Sequence, residues 1–314
     1  VLYPGYFGNY FLDNDGAVID PSMYTRNHDA FTKQTHELRI SSPQDARARF
    51  VAGLFWQRQT NDTYNAYRVD GLADDLSITG QPGVNYLNSQ ERVDLDRALF
   101  AEGAFDFTPA WTLTLGARLF DYDNSVLGFF GYGPSHVSQV GEGADSAAPC
   151  FADSIGRHLD ARPCNNIHAK TSGSDLTYKA NLTWRVTDGR MLYATYSTGF
   201  RPGGVNRNPV RPPYQPDKLD NYELGWKTEW VDGRLRWNGA LFYEKWQDAQ
   251  FGVSGPNNIT EIVNAGRARI QGIESDVQWA LGDHLMLSAS ATYLDAQLTT
   301  NSCQYVNPQF DCTI

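Results

Sequence analysis

The chain has 314 residues, a formal net charge of −10, and 41% hydrophobic and 13% aromatic residues. It contains no run of about 18 apolar residues, which excludes a transmembrane helix but not a membrane barrel, whose apolar side chains recur at every second position. The acidic balance argues against nucleic acid as the main partner.

Residues 1–31 are rich in Gly, Asn, Asp and Pro and read as a loop region. Strands then arrive in pairs. TKQTHELRISS (32–42) turns through 43–46 and returns over 49–60. A polar loop to about residue 88 follows. Residues 91–107 then place Leu99, Ala101, Gly103, Phe105 and Phe107 on one face. After a turn at 108–110, Trp111, Leu113, Leu115, Ala117 and Leu119 form the returning stripe, with Thr112, Thr114 and Arg118 facing the other way. The longest loop, about 124–172, holds Cys150 and Cys164. Next, Leu176, Tyr178, Ala180, Leu182, Trp184 and Val186 alternate with Lys179, Asn181, Thr183 and Arg185. A turn at 187–189 leads to a strand over 191–200 and a loop over 201–216.

The clearest hairpin spans 217–248 and turns at Asp232-Gly233, a pair that tolerates positive φ. Tyr222, Leu224, Trp226, Thr228 and Trp230 share one face, opposite Glu223, Lys227 and Glu229. On the return, Leu235, Trp237, Gly239, Leu241 and Tyr243 alternate with Arg236, Asn238 and Glu244. After a loop at 252–265, Ile273, Val277, Trp279 and Leu281 oppose Glu274, Asp276 and Gln278. A turn at Gly282-Asp283 leads to Leu285, Leu287, Ala289, Ala291 and Tyr293. Residues 301–314 read as the start of a further loop.

These are about ten strands in five hairpins over 32–300, with short turns on one side and long loops on the other. Each apolar stripe is about nine residues long, longer than the usual globular strand, and tilted by about 40° it rises roughly 23 Å. Trp111, Trp184, Trp230 and Trp279 lie beside the short turns, and Tyr222, Tyr243 and Tyr293 lie toward the far end. Two aromatic girdles around an apolar band describe an all-β, antiparallel transmembrane β-barrel, with its long loops, 1–31 and 301–314 included, outside. Charges on the apolar face appear only past the aromatic rim, as at Asp121, Lys245 and Asp295. A soluble sandwich or propeller would explain the alternation, but not the constant stripe length, the one-sided Trp belt or the loop asymmetry.

The charged face (Lys179, Arg185, Glu223, Lys227, Glu229, Arg236, Glu274 and Asp276) then lines a lumen. Its carboxylates follow the strand period, which favours networks that dock a plug over acid–base catalysis. No nucleophile elbow or triad signature occurs, so no enzyme is expected. No cofactor or metal site is expected either: His158 and His168 flank Cys164 without zinc-site spacing. The cysteines form two local pairs, Cys150 with Cys164 and Cys303 with Cys312, read as loop-closing disulfides of an oxidising compartment. The segment FRPGGVN (200–206) lacks a phosphate-loop pattern. Arg201, Arg207 and Arg211, with Asn206, Asn208 and Tyr214, make a basic, aromatic rim suited to an anionic ligand. The alternative is a solvated loop, or one bridged to lipopolysaccharide or neighbouring loops.

Several blocks resemble the barrel half of TonB-dependent outer-membrane receptors: HELRISSP (36–43), VAGLFW (51–56), LYATYSTGFRPGGVN (192–206), NYELGWKTEWVDGRLRWNGALFYEKWQD (221–248), NAGRARIQGIESDVQW (264–279) and LSASATYLDAQL (287–298). The resemblance implies a 22-stranded barrel in the bacterial outer membrane, among lipid and lipopolysaccharide. It also implies an N-terminal plug, and a TonB box coupled to the inner-membrane energy complex. It implies import of a scarce small ligand such as a ferric siderophore, vitamin or glycan. No plug, TonB box or closing strand with a terminal aromatic is found, so the chain reads as an interior piece of something longer. A passive outer-membrane channel shares the same barrel physics, and a soluble secreted β protein is the third reading.

Overall fold

The computed structural model describes residues 11–133, 150–151, 163–208, 211–254, 260–264 and 266–300. Among them are twelve strands: β1 (Met23–Ser41), β2 (Ala48–Val69), β3 (Val84–Thr108), β4 (Trp111–Tyr132), β5 (Ile167–Thr187), β6 (Arg190–Arg201), β7 (Asp217–Trp230), β8 (Leu235–Gln247), β9 (Gln250–Ser254), β10 (Thr260–Asn264), β11 (Arg267–Ala280) and β12 (Met286–Leu298). Ten form one antiparallel sheet in chain order, β1 to β8 followed by β11 and β12. The sheet is open, with β1 and β12 at its edges, and β9 pairs with β10 alone.

Register carries the apolar stripe from strand to strand. Leu38, Leu54, Leu99, Leu119 and Leu176 stand opposite one another in turn. So do Leu182, Ala194, Leu224, Leu241 and Ile273. A one-residue slip anywhere would move a whole strand's apolar set to the polar face, so pairing and patterning enforce each other. Leu54, Leu99, Leu115 and Leu224 are all more than half exposed. In water such a face would be an aggregation hazard; in hydrocarbon it is the solvent-facing surface.

Aromatic side chains gather toward both ends of the apolar stripe. Trp111 and Trp184 stack at 5.3 Å beside the short turns, and the Arg190 guanidinium lies 3.5 Å from the Trp230 ring centroid. Trp279 is exposed at the same end. At the far end Tyr178, Tyr196, Tyr222 and Tyr243 run as one row, at centroid spacings of 5.7, 4.9 and 6.3 Å. Tyr293 stands opposite Ile273, on the outermost strand of that side. On β3, Arg97 to Phe107 rises about 25 Å when tilted, so Arg97 marks the outer limit of the band.

Several strands run well past that limit, which corrects the sequence-based loops. The loop read over 1–31 gives way to strand at Met23. β2 continues to Val69 and β3 starts at Val84, where a loop to residue 88 was expected. β4 reaches Tyr132 and β5 starts at Ile167, shortening the loop read over 124–172. The loop read over 252–265 contains β9 and β10. The turn after β7 has positive φ at Asp232 and Gly233, as Asp-Gly predicts, and also at Val231.

The buried apolar clusters belong to these extensions. Tyr86, Val126, Phe130, Tyr132 and Ile167 surround Val205 on one face of the β3–β4 ribbon. Ile78, Leu87, Phe129 and Cys164 pack together in a second cluster. A third joins Phe11 to Val69 and Leu72, so the segment before β1 folds back onto the top of β2.

Cys150 and Cys164 are bonded, with Cα atoms 5.8 Å apart. The pair Cys303 and Cys312 lies outside the described residues. Closing the loop between Cys150 and Cys164 constrains the unfolded chain by about 3 kcal/mol. Peptide mapping without reductant should recover this pair cross-linked. Reduction should lower the thermal midpoint of the external region while leaving the membrane-embedded strands folded.

Candidate functional site

Toward its long-loop end the sheet divides. β5 pairs with β6 only from Lys179–Ser197 downward. Beyond that level β5 stays with β4, and β6 stays with β7. The gap is bridged by side chains: Phe120 stacks on Phe200 at 3.4 Å, and Lys218 reaches Asp175. The segment leaving β6, residues 202–208, crosses the gap and lies on the inner face of the β3–β4 ribbon.

That crossing segment behaves as an added strand without a ladder. Carbonyls of an extended chain alternate in direction. Those of Gly203, Val205 and Arg207 turn toward the ribbon and accept hydrogen bonds from Asn124 Nδ2 (2.7 Å), Arg92 Nη2 (2.6 Å) and Gln90 Nε2 (2.8 Å). Gly204 pairs both ways with Tyr214 through the backbone. A Cβ there would lie 2.1 Å from the Tyr214 hydroxyl, so any side chain would displace the Tyr214 ring. The Asn206 carboxamide points away from the ribbon. It accepts from Ile262 N at 2.8 Å and donates to Ile262 O at 3.0 Å, clamping β10.

The ligand-rim residues predicted from sequence come together here, several of them with protein partners. Arg201 donates to Asp217 at 2.6 and 3.1 Å and to the Gln250 carbonyl at 2.9 Å. The Asp217 carboxylate is buried and also accepts from Gln250 N. The Arg211 guanidinium lies 2.5 Å from the buried Glu261 carboxylate, which Asn208 also contacts. These contacts answer why a basic loop sits in an acidic protein: its partners lie on β7 and β10, far off in sequence. Arg207 donates to the Thr260 carbonyl at 3.2 Å and stands beside Tyr86 and Tyr132. It is the half-buried arginine of this set that borders the aromatic patch.

That patch joins Tyr67, Tyr86, Phe130 and Tyr132, with Tyr86 in contact with each of the others. Burial pushes the Tyr86 hydroxyl up to about 12 and raises that of Tyr132. Both stay protonated, as hydrogen-bond donors and not phenolates. Next to Tyr86, Asn65 and Asn88 face each other, and both carboxamide oxygens are buried without a hydrogen-bond partner among the described residues. Neither patch nor carboxamides stood out in the sequence, because Asn and Tyr in a Gly-rich stretch read as loop.

Lower on the same inner face Asp94 is half-buried, and burial holds its carboxyl above the usual carboxylate range, with Asp96 adding to the shift and Arg92 opposing it. Ionising it therefore costs the folded state. The stability it contributes is present below its unfolded pKa and is lost as pH rises through the raised value. Asp94→Asn should raise the thermal midpoint at neutral pH, and the gain should vanish toward about pH 3.

The charges read as lumen-facing lie on the sheet face opposite the apolar stripe. Lys179 pairs with Glu102 at 2.5 Å, and Glu229 with Arg236 at 3.0 Å. Arg185 joins Thr112 and Asp106, which Arg49 holds from two nitrogens. Glu223 accepts from Tyr193, and Asp276 from Asn238. Lys227 and Glu274 share this face. A recess of about 470 Å³ opens on it between Glu37, Arg39, Phe100, Glu102, Arg118 and Lys179. Among the described residues no group of three His, Cys, Asp or Glu is arranged to hold a metal ion.

Residues 3–311 match the family model described as TonB dependent receptor-like, beta-barrel. The probable TonB-dependent siderophore receptor PiuA of Acinetobacter baumannii is 25% identical over 93% of this chain and 40% of its own length. The pesticin receptor of Yersinia enterocolitica is 24% identical over 88% of this chain and 35% of its own length. Among solved structures, the ferric yersiniabactin uptake receptor FyuA from Yersinia pestis superposes with a TM-score of 0.69 at 17% identity, over 91% of this chain and 38% of that one. The ferric-catecholate import receptor Fiu from E. coli superposes at 0.61 and 18%, over 91% and 40%. The chain therefore spans about two-fifths or less of the proteins it resembles.

Proposed function

Because the chain belongs to the TonB-dependent receptor family, within its β-barrel, we propose that it forms part of the wall and external mouth of an outer-membrane importer. The cargo we assign is a metal–siderophore complex. The family match over nearly the whole chain carries this reading. Relatives named as siderophore, ferric-pyoverdine and metal-pseudopaline receptors support this cargo over vitamins and glycans.

In this reading the apolar stripe faces lipid and lipopolysaccharide. Lys179, Arg185, Glu223, Lys227, Glu229, Arg236, Glu274 and Asp276 face a plug. The inner-membrane TonB complex supplies the energy through the whole receptor. The ligand meets Arg207 and the neighbouring Tyr67, whose cation and aromatic faces suit an anionic, ring-bearing chelate. Arg201, Asn206, Arg211 and Tyr214 hold that surface in place.

The test is uptake of radiolabelled ferric chelates by cells carrying or lacking the full-length receptor, with and without a protonophore. Receptor-dependent, protonophore-sensitive uptake of at least one siderophore complex is expected. Uptake that persists without the proton gradient would replace this reading with a passive channel.

A further inference from the structure

We propose that the recess on the inner face of β1–β6 is a second station for the metal chelate, where Arg118 receives an anionic complex after it leaves the mouth. The inference rests on the importer reading above and deepens it: it assigns the charge of the cargo and a site on its inward path.

Register sets the recess. Arg39, Gly53, Phe100, Arg118 and Thr177 stand opposite one another across β1–β5. One step toward the short turns, Gly116 lies between Glu102 and Lys179 and puts no side chain between them. Gly53 yields its side-chain space to the Phe100 ring, whose Cζ lies 2.6 Å from where a Cβ would stand. The ring therefore lies along the wall and leaves the lumen side open. The resulting hollow, about 470 Å³, falls within the range of small-molecule sites, about 300–1,000 Å³. Its edge on β5 and β6, at Thr177 and Thr198, is where those strands part. Phe100 and Tyr86 lie on the same face of β3, so the hollow continues the surface that carries the aromatic patch of the mouth.

Charge identifies the occupant. Two cations of the recess are paired with neighbours, Arg39 with Glu37 and Lys179 with Glu102. Arg118 is half-buried, and among the described residues its guanidinium has neither ion pair nor hydrogen bond. Asp96 acts on it through space, while the Asp96 carboxylate itself accepts from Gln57. The Arg118 guanidinium lies 4.9 Å from the Phe55 ring centroid, and that of Arg39 lies 5.7 Å from the Phe100 centroid. Guanidinium and ring thus meet here as Arg207 and the tyrosines meet at the mouth. Such a pair offers a planar cation to the oxygens of an anionic chelate and a flat face to its rings. An anion moving from the hydrated mouth into the lumen loses solvation, and a waiting cation offsets that loss. A neutral chelate does not need it.

The test uses cells carrying the full-length receptor as wild type, Arg118→Gln or Arg118→Lys, at equal receptor levels. The probes are radiolabelled ferric tris-catecholates, whose iron centre is anionic, and ferric trihydroxamates, whose iron centre is neutral. Arg118→Gln should slow energised uptake of the anionic chelates at least about tenfold, the usual weight of a hydrogen bond to a charged group. Neutral-chelate uptake, and surface binding of either class with a protonophore present, should change less than about twofold. Arg118→Lys, which keeps the charge but not the fork, should recover part of the rate. Equal slowing of both classes, or a lower thermal midpoint or new entry of a large antibiotic in Arg118→Gln, makes Arg118 a plug contact and overturns the station. Wild-type uptake confined to neutral chelates overturns it too. Unchanged anionic uptake in Arg118→Gln overturns the station and leaves the importer reading standing. Wild-type cells that import no ferric chelate overturn both.

Discussion

Leu115→Arg should cost the folded, membrane-inserted receptor about 2–4 kcal/mol. Leu115 lies midway along the stripe between Trp111 and Leu119, opposite Gly103 and Ala180, and is more than half exposed. A guanidinium there has only hydrocarbon around it, and its stem reaches neither girdle without distorting the bilayer. Leu182→Arg, one step from the Trp184 girdle, should cost less, because the side chain can snorkel toward the headgroups. Thr183→Arg should cost little, since Thr183 shares the polar face and bonds to Asn181. Denaturant midpoints of the full-length receptor in lipid vesicles would give the ordering. Equal midpoints for Leu115→Arg and Thr183→Arg would reverse the assignment of faces.

Glu261→Ala should loosen the mouth by about 3–5 kcal/mol, the usual result of stranding one member of a buried ion pair. The side chains of Arg211 and Glu261 retain 12% and 6% of their exposure. Removing the carboxylate leaves the Arg211 cation without that partner and takes the acceptor from Asn208. The expected readout is faster amide exchange in 202–208 and β10, with protection in β7 and β8 unchanged. Adding Arg211→Ala should restore part of the loss, because no charge is then stranded. Unchanged exchange in Glu261→Ala would show that the clamp is held without this ion pair, by Asn206, Arg207 and Asn264.

The membrane wall was legible because lipid imposes a rule that sequence displays directly. From Leu176 to Val186 every second residue must tolerate hydrocarbon, and the pattern survives without knowing the partner strands. The extensions obey no such rule. Residues 121–132, DYDNSVLGFFGY, mix charge, Gly and aromatics without a period, because one face packs under the 202–208 segment and the other under the Cys164 cluster. Their strand state is set by pairing with β3 and β5. The mouth was half legible for a related reason. Arg201, Asn206, Arg207 and Arg211 stood out as a basic cluster, and the structure does gather them. What the chain did not disclose is that Asp217 and Glu261 are partners of two of them, since nothing local marks a contact across 16 or 50 residues. Asn65 and Asn88 gave no signal at all.

The division between β5 and β6 also governs how the wall carries load. Below Lys179–Ser197 each strand is laced to the next by backbone hydrogen bonds, and the described wall resists spreading across its width. Above it the lacing between β5 and β6 stops. Among the described residues, tension between the β2–β5 ribbon and the β6–β8 ribbon passes through the Thr198 hydroxyl bonded to the Tyr178 backbone, a stacked ring pair, one lysine–carboxylate contact and the crossing segment. A pull applied at the mouth would therefore be felt first in that segment and last in the bilayer.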